Sequence, residues 1–136
     1  RTIMLIEDES KMSKLYGVVL ESKGYDVISR GSIDEALTAL DEALPDIIIS
    51  DIMMPVINGI DGCRIIRERH GREVPILFVS ALDDLKTINK AFDAGGDDSL
   101  TKQSSLEDVI NRVELWLEVP PDQKVELTEK SRAAWN

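Results

Sequence analysis

The sequence predicts an α/β domain with a parallel sheet, because short apolar runs alternate with segments of helical periodicity along most of the chain. The runs are continuously apolar, which is typical of strands buried on both faces of a sheet. At 136 residues, 43% of them hydrophobic, the chain can form one domain with its own core. Five strand and helix units are present, with strands expected near 2–6, 25–29, 46–50, 75–79 and 97–101.

The first three helices are predicted from apolar residues spaced three or four positions apart. The first helix has an inward face that includes Tyr16. The second begins at a capping box, in which the Ser32 hydroxyl and the Glu35 carboxylate each accept a hydrogen bond from the other residue's backbone amide. The third is expected from about residue 60 to residue 69, with Cys63 on its inward face.

The last two helices complete the predicted domain. The fourth is expected over 83–94, and the fifth begins at a second capping box that runs from Ser104 to Glu107. Two prolines then end the helical pattern, so the domain is expected to span residues 1–118. Residues 119–136 are interpreted as a linker or a C-terminal extension, within which Thr128 to Trp135 could form a short helix.

The composition excludes several classes of function. A net charge of -10 and a pI near 4.5 argue against direct nucleic-acid contact by this segment, since phosphates are bound by clustered Lys and Arg. With Cys63 as the only cysteine and His70 as the only histidine, neither an internal disulfide nor a Cys/His zinc cluster can form. No apolar stretch approaches the roughly 20 residues of a membrane span, and no signal peptide is visible. We therefore expect a cytoplasmic protein without a membrane partner.

Carboxylates follow two of the predicted strands. Glu7 and Asp8 come directly after the first apolar run, and Asp51 comes after the third. Open parallel sheets bind ligands beyond the carboxyl ends of their strands, so the three acids converge if these strands are neighbours. Carboxylates this close repel one another, and oxygen ligands of this kind suit Mg²⁺. The plainer alternative is that acids follow strands because loops are solvated.

A hydroxyl and an ammonium group follow the last two strands. Ser80 could donate a hydrogen bond to a phosphoryl oxygen, or it could only cap the next turn. Lys102 could neutralise charge on a transferring phosphoryl group, or it could be a solvated surface charge. These residues alone leave both interpretations open.

Taken in order, the motifs at the strand ends resemble the receiver domain of two-component response regulators, over residues 2 to about 118. Each motif is weak alone, but their sequence at successive strand ends is a strong signal. The motifs are Glu7-Asp8, Asp51, Met54-Pro55, Gly59, Ser80-Ala81 and Lys102. The resemblance implies a doubly wound (βα)5 flavodoxin-like sandwich, with a parallel five-stranded sheet of order 2-1-3-4-5.

The resemblance also implies phosphoacceptor chemistry. Asp51 matches the residue that takes a phosphoryl group from a phosphohistidine on a sensor histidine kinase or a phosphotransfer protein. Glu7 and Asp8, with Asp51 and the backbone carbonyl of Met53, match the ligands of Mg²⁺.

Two further matches concern switching. Ser80 matches the switch hydroxyl, and Lys102 matches the lysine that pairs first with the acceptor carboxylate and then with a phosphoryl oxygen. Such a chain catalyses transfer to its own aspartate without being a turnover enzyme. Its signal would pass to an output domain or a downstream protein.

Two positions depart from the family pattern. Gln103 stands where a proline usually follows the lysine through a cis peptide bond, and a non-proline cis bond costs about 3 kcal/mol, so we predict a trans Lys102–Gln103 bond. Ser99 stands where an aromatic switch residue is usual. A second hypothesis therefore stays open, namely an interaction adaptor with a receiver fold that binds independently of phosphorylation.

An enzyme on the same topology is disfavoured by the residues themselves. The acids after the first strand would repel a flavin phosphate, and Met53 stands where aspartate-based phosphatases of the haloacid dehalogenase type need a second Asp. Met53 and Leu82 are both apolar and should border the path of water to an acyl phosphate, which predicts slow self-dephosphorylation. His70 is expected in a solvated loop, and Trp116 is expected to be half-buried.

Overall fold

A computed structural model describes all 136 residues and contains one parallel sheet with helices on both faces. The strands are β1 (Thr2–Ile6), β2 (Asp26–Arg30), β3 (Ile47–Ser50), β4 (Ile76–Ser80) and β5 (Asp98–Thr101). The helices are α1 (Ser10–Ser22), α2 (Ile33–Glu42), α3 (Gly59–His70), α4 (Leu85–Asp93), α5 (Leu106–Glu118) and α6 (Lys124–Ala133). The sheet order is β2-β1-β3-β4-β5, which confirms the topology that the resemblance implies.

The register of the central strands aligns their carboxyl ends. Ile6 at the end of β1 pairs with Ser50 at the end of β3, so the next residue of each strand leaves the sheet at the same edge. Ser80 at the end of β4 pairs with Thr101 at the end of β5, immediately before Lys102. The carboxyl ends of β1, β3, β4 and β5 therefore lie on one edge of the sheet.

Two hydrophobic cores lie on opposite faces of the sheet, because side chains alternate along each strand. Met4 and Ile6 pack in the core beneath α2, α3 and α4, whereas Ile3 and Leu5 pack in the core beneath α1 and α5. All residues of β3 and β4 are buried, as their continuous apolar runs predict. Burial on both faces holds these two strands, and hence the residues that follow them, in fixed positions.

The strand bounds lie within one residue of the prediction, but the capping boxes differ in detail. The Ser32 hydroxyl accepts a hydrogen bond from Glu35 N at 3.1 Å, while the Glu35 carboxylate accepts from Gly31 N, one residue earlier than a capping box requires. The N-cap of α5 is Ser105 instead of Ser104. Ser104 is drawn into the preceding turn, where its amide donates to Thr101 O at 3.0 Å.

Two expectations about single residues were wrong. Trp116 is fully buried, with 1% of its surface exposed, and its indole N–H is satisfied by donating to the Asp98 carboxylate at 2.8 Å. His70 is the last residue of α3, and its Nε2 lies 3.1 Å from the Asp41 carboxylate. Cys63 packs in the core as expected, and burial raises the pKa of its thiol to about 11, so the thiol is unreactive.

The C-terminal residues form a helix that begins earlier than predicted. A 3₁₀ turn over Pro121–Gln123 leads directly into α6, so the helix covers Lys124–Ala133 and not the segment from Thr128 to Trp135. Proline is accommodated here because it occupies the first position of the turn, where no intrahelical amide is needed. None of the helices combines the length and apolarity that crossing a bilayer requires.

Candidate functional site

Asp51 lies at the end of the buried strand β3, beside the end of β1. Its backbone amide donates to Ile6 O at 3.0 Å, which continues the ladder between these strands by one step. The side chain is buried, and its Oδ1 accepts a hydrogen bond from Ile52 N at 2.7 Å. The carboxylate is thus held in one orientation at the topological switch point, where β1 separates β2 from β3.

Glu7 and Asp8 meet Asp51 at this edge, as the sequence predicts if the strands are neighbours. One carboxylate oxygen from each of the three residues lies within 4.8 Å of the other two. Glu7 and Asp51 are buried, while Asp8 is exposed to solvent. Three oxygen donors, with one side open to water, match the ligand type and partial hydration that Mg²⁺ prefers.

Lys102 reaches into the acidic cluster from the end of β5. Its Nζ lies 2.7 Å from Glu7 Oε1 and 2.9 Å from Asp51 Oδ2, so one ammonium bridges both buried carboxylates. Burial lowers the pKa of Lys102, but the hydrogen bonds and charges of Glu7 and Asp51 outweigh burial and raise the pKa above its ordinary value. The lysine therefore stays protonated and neutralises part of the cluster.

The surroundings of Glu7 raise the pKa of its carboxyl group. Burial raises the pKa of its carboxyl group, the hydrogen bond from Lys102 lowers it, and the nearby charge of Asp51 raises it again, with a net increase. Three carboxylates face the single ammonium of Lys102, so one lysine cannot balance the negative charge of the site. A further cation at the cluster would relieve this imbalance.

The loop between β3 and α3 is shaped by an unusually close backbone approach. A Cβ atom on Gly59 would lie 1.9 Å from Asp51 O, so only glycine fits there. The Gly59 amide donates to Ile52 O at 2.7 Å, and Asn58 caps α3 by accepting from Asp61 N at 2.9 Å. These contacts fold the loop back against the backbone of Asp51. They explain in physical terms why glycine follows this strand end.

The same loop carries a strained residue. Val56 has a φ of 70°, in the left-handed region that β-branched residues rarely adopt, and 96% of its surface is exposed. The side chain of Met53, which comes two residues after Asp51, is also largely exposed. The loop thus presents two apolar side chains to solvent next to Asp51.

Ser80 is fully buried at the end of β4, and its hydroxyl is not bonded to Asp51. Instead, Ser80 Oγ accepts a hydrogen bond from Leu82 N at 3.2 Å. Its backbone carbonyl accepts from Lys102 N at 2.9 Å, which ties the ends of β4 and β5 together. The structure therefore brings Glu7, Asp51 and Lys102 into contact. The Ser80 hydroxyl instead contacts the backbone of the loop that follows β4.

Sequence reasoning gave Tyr16 only a packing role, yet it lies within electrostatic reach of the site. Burial raises the pKa of its phenol; the charge of Lys102 lowers that pKa, and those of Glu7 and Asp51 raise it. The sequence does carry a signal for this role, because Tyr16 is on the inward face of the helix that follows Glu7 and Asp8.

The two departures from the family pattern have different structural outcomes. The chain contains no cis peptide bond, so the predicted trans Lys102–Gln103 bond is confirmed. Ser99 is buried, and its hydroxyl has no hydrogen-bond partner within the protein. The position therefore holds a small polar side chain in the core, on the same side of the sheet as its pairing partner Phe78.

The acidic cluster, its bridging lysine and the sheet order agree with the family resemblance seen in the sequence. Residues 3–114 match the family model of the response regulator receiver domain, and the chain belongs to this family. It is the receiver domain of a two-component response regulator.

Relatives with established names are consistent with this assignment. The chain is 31% identical over 125 residues to the DNA-binding response regulator MtrA of Mycobacterium tuberculosis (strain ATCC 25618 / H37Rv), covering 92% of this chain and 54% of MtrA. It is 34% identical over 114 residues to the DNA-binding dual master transcriptional regulator RpaA of Synechocystis sp. (strain ATCC 27184 / PCC 6803 / Kazusa), covering 82% of this chain and 46% of RpaA. The chain thus spans about half the length of these relatives.

A solved structure has the same fold. The receiver domain of the Francisella response regulator 1452 superimposes with a TM-score of 0.80 at 28% sequence identity, over 86% of this chain and 96% of that domain. Nearly the whole of that domain therefore has a counterpart in this chain.

Proposed function

We propose that this chain accepts a phosphoryl group on Asp51 from a phosphohistidine, with Mg²⁺ bound at the acidic cluster. The observation that carries the proposal is the convergence of three carboxylate oxygens within 4.8 Å, beside a lysine whose Nζ is 2.9 Å from Asp51 Oδ2. Three acids at one sheet edge suit a divalent cation, and that cation together with Lys102 would offset the charge of a phosphoryl group.

In the transfer step, a carboxylate oxygen of Asp51 attacks phosphorus. The new bond joins this oxygen to phosphorus, while the bond between phosphorus and the histidine nitrogen breaks. The imidazole keeps the electron pair of that bond and is neutralised by a proton from solvent. Asp51 Oδ2 is the attacking atom, because Oδ1 accepts a hydrogen bond from Ile52 N, whereas Oδ2 accepts only from the Lys102 ammonium.

The metal ligands in this proposal are Glu7, Asp8, Asp51 and the backbone carbonyl of Met53. A bound Mg²⁺ would offset negative charge as the phosphoryl group is transferred. The three carboxylates outnumber the single ammonium of Lys102, which supports a cation at this position.

Lys102 and Ser80 respond to the new group. Lys102 exchanges its contact with Asp51 Oδ2 for a phosphoryl oxygen, which keeps its charge paired. The Ser80 hydroxyl, whose oxygen now accepts from Leu82 N, donates to another phosphoryl oxygen. Both changes move residues at the ends of β4 and β5, so they alter the surface formed by α4, β5 and α5.

The partners follow from this chemistry. The donor is a sensor histidine kinase or a phosphotransfer protein that carries phosphohistidine. The chain modifies only its own aspartate, so it acts as a switch and not as a turnover enzyme. The two DNA-binding relatives support an output domain or a downstream protein as the target of the signal.

The test is phosphorylation with acetyl phosphate, followed by intact-mass measurement. We expect one phosphoryl adduct per chain in the presence of MgCl₂, and none after chelation with EDTA or in Asp51→Asn. Asp34→Asn is the matched control, because Asp34 is an exposed residue in the first turn of α2, away from the cluster.

An adduct that persists in Asp51→Asn would contradict the assignment of the acceptor. If the unmodified protein forms no adduct with Mg²⁺ present, the adaptor hypothesis is favoured instead.

Replacement of Met53 by asparagine should shorten the lifetime of the phosphorylated protein. The exposed methionine cannot orient an attacking water, whereas an amide can form one hydrogen bond to it. A hydrogen bond contributes about 0.5–1.5 kcal/mol, which corresponds to roughly a two- to tenfold faster loss of phosphate. The lifetime is measured from the decay of the adduct after removal of acetyl phosphate. Met53→Leu should decay at the original rate, and an Asn variant that decays no faster than Leu would refute the argument.

A further inference from the structure

The C-terminal helix α6 is attached to the rest of the domain by polar side chains. Lys124 Nζ donates to Glu73 O at 2.7 Å, before β4, and Thr128 Oγ1 donates to Asp97 Oδ1 at 2.8 Å, before β5. No residue of α6 is fully buried, and only Leu127 is packed against the apolar core. A helix held in this way can separate from the domain without exposing a large apolar surface.

The attachment at Asp97 adds one bond to a network at the amino-terminal edge of the sheet. Asp97 Oδ2 accepts hydrogen bonds from Arg67 at 2.8 Å and from Ile76 N at 3.0 Å, so its second oxygen is free to bind Thr128. The network is complete at β4 and β5 without α6. This explains why release of α6 would leave the sheet intact.

The third attachment is to α4. Arg132 donates to Asp93 Oδ1 at 2.8 Å and to Asn89 Oδ1 at 3.2 Å, and its guanidinium carbon lies 5.7 Å from the centre of the Phe92 ring. All three partners belong to the last two turns of α4. Arg132 is therefore the residue of α6 whose hydrogen bonds depend on the position of α4.

The other end of α4 is tied to the candidate phosphorylation site. Only residues 81–84 separate Ser80 from the first residue of α4, and Asp84 caps the helix by accepting from Thr87 N at 3.0 Å. Within this short loop, Leu82 N donates to Ser80 Oγ. If Ser80 turns toward a phosphoryl group on Asp51, this bond is lost and the loop must shift, which displaces the start of α4.

We propose that α6 is a latch released by phosphorylation of Asp51, with Arg132 as the residue that couples α6 to α4. This inference rests on the proposed function and assigns its regulation to a second element. A displacement of α4 breaks the geometry of the bonds from Arg132 to Asp93 and Asn89. Thr128 and Lys124 then hold α6 alone, and α6 leaves the sheet edge.

The sign of the coupling follows from linkage. In this structure Lys102 is bonded to Asp51 and Ser80 to Leu82, so the docked position of α6 belongs to the unphosphorylated arrangement. A contact made only in that arrangement favours it, and must oppose binding of any group that favours the other. Loss of Arg132 should therefore strengthen binding of a phosphoryl analogue at Asp51, although the two sites are at opposite edges of the sheet.

The experiment compares the full chain with Arg132→Ala. Affinity for beryllofluoride is measured by titration calorimetry at saturating Mg²⁺, and amide hydrogen exchange of residues 124–133 is followed with and without beryllofluoride. We expect Arg132→Ala to bind beryllofluoride at least about fivefold more tightly, and beryllofluoride to accelerate exchange in α6 of the unmodified chain. Lys130→Ala is the matched control, because Lys130 is exposed on α6 and pairs only with Glu126 of the same helix.

The outcomes separate the latch from the function on which it rests. If beryllofluoride binds the unmodified chain but not Asp51→Asn, the proposed acceptor site is supported. Equal affinities for Arg132→Ala and Lys130→Ala, or unchanged exchange in α6, would then overturn the latch alone. If the unmodified chain does not bind beryllofluoride, the acceptor function and the latch are both wrong.

Discussion

Replacement of Gly59 by alanine is expected to lower the free energy of unfolding by about 3–5 kcal/mol, although the change adds a single methyl group. The added carbon would lie 1.9 Å from Asp51 O and 2.9 Å from the carbonyl carbon of Asp51. The loop can escape only by moving away, which breaks the 2.7 Å hydrogen bond from Gly59 N to Ile52 O. Urea denaturation measures the loss of stability.

The same variant should lose most of its phosphorylation by acetyl phosphate at a temperature where it remains folded. The backbone that positions the Asp51 carboxylate is the backbone that must move. Gly17→Ala is the control, because Gly17 lies within α1 and an added Cβ meets nothing closer than the Glu21 carboxylate at 4.0 Å. That change should stabilise the protein by about 0.5–1 kcal/mol, as glycine is unfavourable inside a helix. Similar stabilities for the two variants would show that the close approach is not a constraint.

Replacement of Trp116 by alanine should be equally severe, with a loss of about 3–5 kcal/mol in unfolding free energy. Trp116 is among the largest fully buried side chains, and its indole N–H donates to Asp98 Oδ2 at 2.8 Å. The substitution leaves a large cavity and removes one of the two side-chain donors to a buried carboxylate. The second donor, Arg112 at 2.7 Å, remains.

Two further variants separate packing from hydrogen bonding at this position. Trp116→Phe keeps most of the apolar burial but removes the donor, so we expect a loss of about 1–3 kcal/mol. Trp135→Ala, near the C-terminus, should cost less than about 1 kcal/mol because Trp135 is only partly buried. Thermal and urea denaturation report all three values. If Trp116→Ala proved no worse than Trp135→Ala, the role assigned to Trp116 in the core would be wrong.

The sheet could be predicted well from the sequence because its signal is local. Each central strand is a continuous apolar run, and the register places Glu7 and Asp51 at adjacent strand ends once the order of strands is known. The convergence of Lys102 with these acids followed from the same reasoning about strand ends. Such features depend on hydrophobic pattern and topology, which a sequence displays directly.

Other features depend on single contacts between distant side chains, which leave no periodic pattern. Nothing in the residues around Trp116 indicates that Asp98 accepts its N–H. The choice of Ser105 over Ser104 as the N-cap depends on a turn that recruits the amide of Ser104, and adjacent serines cannot be ranked by type. The position of α6 likewise cannot be predicted from the sequence pattern, because the contacting residues Thr128 and Asp97 are 31 residues apart.

The order in which the ribosome delivers the strands bears on the acidic cluster. Strand β1 pairs with both β2 and β3, so an emerging chain can form these pairs before β4 and β5 exist. At that stage Glu7, Asp8 and Asp51 already converge, whereas Lys102, 51 residues beyond Asp51, has not been made. Repulsion among the three acids then has no lysine to offset it. The second half of the sheet therefore supplies the positive charge that partly balances the acids of the first half.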